Sequence, residues 1–139
     1  MRTRRALVVA GVGVLLAAAP VTAHHAFSSE FDIARPVKLQ GTLTKWEMIN
    51  PHSWFHIDVK NPDGTVDTWM IEGGSPNQLM KGGLTKYTLP IGTELIIEGY
   101  QAKDGTHKGV GRNFLLADGR RLTLGGSANS AGTDPPGGK

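Results

Sequence analysis

The histidines are the only concentrated chemistry in this chain of 139 residues, which has no cysteine to offer as thiolate ligand, nucleophile or disulfide. Four of the five fall at two places, His24 with His25 and His52 with His56; the fifth is His107. Neutral imidazole suits copper, zinc and nickel, and a tetragonal all-nitrogen set favours Cu(II). A histidine at the very N-terminus of a chain is a special case, because its α-amino nitrogen and its ring Nδ1 can close a chelate on one ion. The amine has an ordinary pKa of about 7.7–8.0, so a metal displaces its proton readily near neutral pH. One or two further imidazoles would complete such a site. His52 and His56 are four apart, so on one strand they share a face but lie roughly 13 Å apart at about 3.3 Å per residue. They share an ion only if the chain bends, and the Pro51-His52 junction is the place for a bend. The favoured ligand set is therefore His24, His25 and His52, with His56 as the fourth candidate. The competing reading leaves His24 and His25 as a solvated terminus and His52 as a turn hydrogen-bonder.

The chelate requires that His24 become a terminus, and the preceding residues predict that it does. Arg2, Arg4 and Arg5 form a positive start, and residues 6–19 are an uncharged stretch of small and aliphatic side chains. That stretch is shorter than the roughly 20 apolar residues a bilayer span needs. Pro20-Val21-Thr22-Ala23 then places small residues where a signal peptidase reads them, and cleavage after Ala23 avoids a proline just past the cut. Residues 1–23 are read as a secretory signal, giving a periplasmic protein with no membrane span after processing. The Arg4-Arg5 pair hints at twin-arginine export, but its context favours the general route.

Charge narrows the partners. The formal net charge is +3, yet three of the 15 basic residues sit in the signal, leaving 12 against 12 acidic ones. A nucleic-acid binder needs a basic face, so nucleic acid is excluded as a partner. Aromatic residues make up 6%, against 19 glycines and 8 prolines, which argues for turns and strands over a helical bundle.

The elements that must position the histidines read as short strands. Residues 24–36 form a lead-in without clear periodicity, in which Ser28 or Ser29 caps at most one helical turn that Pro36 ends. Val37, Leu39, Gly41 and Leu43 alternate with polar residues. The pattern then changes parity through Trp46 and Met48, which predicts a bulge near Lys45. Residues 54–60 alternate again, with Phe55, Ile57 and Val59 on one face and Trp54, His56 and Asp58 on the other. Asn61-Pro62-Asp63-Gly64 predicts a hairpin return over residues 65–72. Ser75 is the expected N-cap of a short helix with Pro76 at its first position and Gly82-Gly83 as its stop. Leu79, Met80 and Leu84 are expected to plug the open end of the sheet. Strands follow at residues 94–102, 110–117 and 121–124, turning at Asp104-Gly105 and Asp118-Gly119. Residues 37–124 are thus expected to form an all-β domain, a small antiparallel OB-like barrel of five to six strands with one short helix between the third and fourth. A flat meander or small sandwich is the rival. Residues 125–139, rich in glycine, proline and serine, are read as a disordered tail.

Other motifs carry less. Residues 105–111 are glycine-rich but lack the Gly-Lys-Ser/Thr ending of a phosphate loop and precede a strand. No Gly-x-Ser-x-Gly elbow exists, and Asp63 and Asp67 lack the spacing of a calcium loop. Of Trp46, Trp54 and Trp69, the last two are candidate ligand-stacking residues, with capping of the core as the competing reading. Met48, Met70 and Met80 offer thioethers that suit Cu(I), but buried gap-filling is the default for methionine.

The ordered set His24-His25-Ala26-Phe27, Phe31-Asp32, Gly41-Thr42-Leu43-Thr44-Lys45, Asn50-Pro51-His52-Ser53-Trp54, Gly73-Gly74-Ser75-Pro76-Asn77, residues 98–105 and Asp118-Gly119-Arg120 resembles a family of small bacterial exported proteins catalogued as unknown-function domain 6152. The resemblance covers nearly all of residues 24–124. It implies the architecture and export, and no activity, since the family has no established biochemistry. The family motifs include His24-His25 and His52, whereas aromatic residues are commoner at the position of His56. The N-terminal histidine also resembles the histidine brace of exported copper proteins. The expectation is a periplasmic, non-catalytic metal-binding protein for copper, Cu(II), acting as carrier or buffer. The alternative is a metal-free OB-like module that uses Trp54 and Trp69 to hold a small ligand or a periplasmic protein partner. An oxidative copper enzyme is a third reading, for which the chain shows no supporting motif around the brace.

Overall fold

The computed structural model describes Phe27 and residues 29–131; His24, His25 and the expected signal lie outside the described residues. The elements are β1 (Phe31–Glu47), β2 (Trp54–Lys60), β3 (Val66–Glu72), α1 (Pro76–Lys81), β4 (Glu94–Ala102), β5 (Lys108–Leu116), β6 (Arg121–Thr123) and α2 (Ser127–Ala131). They form one sheet in the order β3-β2-β1-β4-β5-β6, and a parallel pairing of β3 with β5 closes the first five strands into a ring. This is the OB-like all-β arrangement, with α1 between the third and fourth strands and β6 as a short edge.

Local chemistry accounts for most of the ring. The Asn61–Gly64 turn brings β3 back along β2 with Trp54 opposite Glu72, His56 opposite Met70 and Asp58 opposite Thr68. Phe55, Ile57 and Ile71 point inward and are fully buried with Leu43, Ile97 and Phe114. The register of β1 against β2 slips between Leu43 and Lys45, which is the bulge that the change of parity requires. Ser75 caps α1 reciprocally with Gln78, Pro76 opens it and Gly82 follows its last residue. Leu79 and Leu84 join the core, but Met80 faces outward, half exposed, so only two of the three expected plugging residues serve. Gly41 and Gly99 are required by close approach. A Cβ on Gly41 would lie 2.6 Å from the Asp58 carbonyl oxygen, and one on Gly99 would lie 2.0 Å from that of Val110.

The two ends differ from the sequence reading. β1 begins at Phe31, ahead of the Val37 start read from periodicity, because residues 32–35 bulge out between the Phe31–Ala102 and Pro36–Tyr100 pairs and so show no alternation. Ahead of it, Phe27, Ser29 and Glu30 are helical. Residues 125–131, read from composition as the start of a disordered tail, comprise two glycines at positive φ followed by α2, whose Ala128 is fully buried. Both ends meet in a second cluster of Phe27, Phe31, Tyr100, Ala102, Val110 and Ala128. In β4 the inward residues are Leu95 and Ile97, so Tyr100 and Ala102 have the opposite parity and this cluster lies outside the ring. Phe27 meets the Tyr100 ring edge-on at 5.9 Å between centroids.

Candidate functional site

His52 follows a cis Asn50–Pro51 bond, just before β2. Backbone bonds from Ser53 N–H to the Gly74 carbonyl and from Gly73 N–H to the Ser53 carbonyl, both 2.9 Å, hold this junction against the end of β3. The imidazole Nδ1 of His52 lies 2.6 Å from Oε1 of Glu72. Glu72 is only 4% exposed although it stands on the outward parity of β3. Its neighbour across the parallel closure is Val110, whose side chain belongs to the second cluster. Glu72 is therefore covered from outside the ring. Burial pushes its carboxyl above the ordinary range; His52 opposes this, Glu30 adds to it and Lys108 opposes it. The Lys108 ammonium is held by Glu30 and lies 4.9 Å from the centroid of the Trp54 ring.

The arrangement sets the histidine for ligation. A carboxylate accepting from Nδ1–H leaves the lone pair of the neutral ring on Nε2, and His52 is 41% exposed on the solvent side. Carboxylate-oriented imidazoles of this kind are what metal sites use to fix tautomer and direction.

His56 is built differently. Its Nε2 lies 2.8 Å from Oε2 of Glu47, whose other oxygen accepts from Lys45 Nζ at 2.7 Å. Those two contacts, Lys45 first, hold the partly exposed Glu47 carboxyl below its ordinary value. His52 and His56 thus engage separate carboxylates and are not brought to one point. Among the described residues, no three of His, Asp and Glu are grouped to hold an ion by themselves.

The tryptophans also part company. Trp54 lies on the outer face beneath Lys108, whereas Trp69 is buried in the ring core opposite Ile57 and stacks on His107 at 5.1 Å. They do not form one ligand face. Of the methionines, Met48 keeps to the gap-filling default, packed partly buried against the core, whereas Met70 and Met80 are exposed and depart from it.

Glu72, Glu30, Glu47 and Lys108 were not among the sequence candidates. Glu47 lies two residues past the predicted bulge, and that is a usable signal. For the others no local signal exists: Glu30 and Lys108 are 78 residues apart, and Glu72 reads as an ordinary solvent-facing strand residue.

No helix among the described residues is long and apolar enough to cross a membrane. No curated protein and no solved structure matches the chain. A family model does match, over residues 12–113, and its description is a family of unknown function, DUF6152. That span takes in β1 to β4, α1, most of β5 and the whole His52–Glu72 pair, and the chain belongs to this family.

Proposed function

We propose that this is an exported, non-catalytic metal-binding protein that holds Cu(II) through the amine and ring of a processed N-terminal His24, through His25, and through Nε2 of His52. The observation that carries the reading is the 2.6 Å contact of His52 Nδ1 with buried Glu72, which leaves Nε2 as the free ligand atom. A second feature supports it. Phe27 is anchored in the outer cluster, and Glu30 reaches Lys108 beside Trp54. His24 is three residues before Phe27, a reach of roughly 10 Å in extended chain.

The test has two arms. The periplasmic fraction should contain a species whose first residue is His24; an intact Met1 form would end both the export reading and the chelate. Cu(II) is then titrated into the correctly processed chain and into one retaining a Met before His24. The extra residue moves the free amine off His24 and should weaken binding sharply. His52→Ala should weaken it as well, and His107→Ala should leave it unchanged. Affinity should fall between roughly pH 7 and 5, as imidazoles and the amine take up protons. Equal, weak binding by both forms sinks the proposal.

A further inference from the structure

The geometry points to a second, softer metal site on the outer face of β2 and β3, where His56 and Met70 hold a monovalent thiophilic cation of the Cu(I) or Ag(I) class. It stands independently of the Cu(II) reading and uses none of its residues.

His56 and Met70 are direct cross-strand partners. The Gly73 N–H bond to the Ser53 carbonyl makes Ser53–Gly73 a hydrogen-bonded pair. Alternation along the antiparallel ladder then makes His56–Met70 a non-bonded pair, the kind whose side chains stand closest, with Cα atoms about 4.5 Å apart. The pairs to either side are matched by other means: Thr68 donates to Asp58 at 2.7 Å, and Glu72 is taken by His52. Met70 is 38% exposed, so its thioether is open to an incoming ion.

The imidazole is already oriented. Glu47 holds Nε2 from the β1 side, and Lys45 fixes Glu47 in turn. The two nitrogens of an imidazole face nearly opposite ways, so the lone pair on Nδ1 is directed away from Glu47, and Met70 stands on the other flank of His56. Thr44 Oγ1 bonds the His56 carbonyl at 3.2 Å and pins the strand at this position. The lysines set opposite the pair on the neighbouring strands are engaged elsewhere: Lys45, across from His56, is bound to Glu47, and Lys108, across from Met70, is held by Glu30 beside Trp54. In a chain without cysteine, thioethers are the only soft sulfur donors, and one thioether with one imidazole selects Cu(I) over Cu(II) and over hard cations.

Silver nitrate in chloride-free buffer is the probe, because Ag(I) needs no reductant. It is titrated into the processed chain while the methionine ε-methyl and histidine ring signals are followed by NMR. Met70 and His56 signals should move together and saturate at one equivalent. Met70→Leu, which keeps the size of the side chain, should weaken this binding by at least about tenfold. His52→Ala should leave it unchanged even though it weakens Cu(II) binding, so the two sites fail separately. Movement of the Met48 or Met80 methyl in place of Met70, or unchanged affinity in Met70→Leu, overturns the site.

Discussion

Two histidine–carboxylate pairs stand on the same outer strip of one ring and are built in opposite ways. In the first the carboxylate is buried and the imidazole faces solvent, as Glu72 holds His52. In the second the imidazole is the more covered partner, and its carboxylate is shared with an exposed lysine, as Glu47 holds His56. The difference comes from what covers each strand end. Glu72 lies where β3 closes on β5 and the Phe27 segment packs over the outside. Glu47 lies at the open end of β1, where water screens it. Both carboxylates orient their histidines, but the covered one does so from a buried position, whereas the partly exposed one shared with lysine adds little to stability.

The comparison is broken most forcefully from the cover. Phe27→Ala removes the ring that packs on Tyr100 and Phe31 and should cost about 3 kcal/mol, the lower end for a buried phenylalanine, since the cluster is small. At about 4–8 °C per kcal/mol this is a large drop in Tm, readable by calorimetry. The same variant should bring the Glu72 carboxyl back toward its ordinary range, while Glu47 is untouched. A full-strength Tm would show that the outer cluster does not hold the site.

Exchanging one carboxylate at a time sharpens the contrast. Glu72→Gln keeps the shape but not the charge-assisted bond to His52, and should lower Cu(II) affinity about 10–100-fold. Glu47→Gln should leave both Cu(II) affinity and Tm nearly unchanged. Equal effects from the two would mean that burial is irrelevant to how His52 is set.

The smallest expected effect is in the pH dependence of the metal-free protein. The Glu72 pKa is raised above its ordinary 4.5 on folding, chiefly by burial. The folded chain therefore holds that proton more tightly than the unfolded one. Its contribution is fully present below the ordinary value and is lost as pH rises through the raised one. Asp63, Asp104 and Asp118, exposed in turns, are lowered by hydrogen bonds from Thr65, Thr106 and Arg120, so their contribution runs the other way and is lost as pH falls. Urea unfolding of the wild type and of Glu72→Gln between about pH 4 and 7 should show the variant gaining relative stability as pH rises. A constant difference across that range would mean that Glu72 is not raised.

By itself the sequence determined the ring's parts. The Asn61–Gly64 hairpin, the Ser75 cap with Pro76 and Gly82, the bulge near Lys45 and the inward row of Phe55, Ile57 and Val59 are all written in residues within a few positions of one another. Turn chemistry, capping and two-residue alternation are local, so they are legible in one dimension. The histidines are visible as residue types, and the structure places His52 and His56 against separate carboxylates. Tertiary structure alone decided which carboxylate each histidine meets and that Glu72 is buried. It also decided that Phe27 and Ala128, near opposite ends of the described chain, share one cluster. The His56–Glu47 contact comes from the bulged pairing of β1 with β2, while the burial of Glu72 and the second cluster depend on the parallel closure of β3 on β5 and on segments folding over the outside of the ring. Burial there is imposed by distant neighbours and leaves no periodicity in the sequence around it.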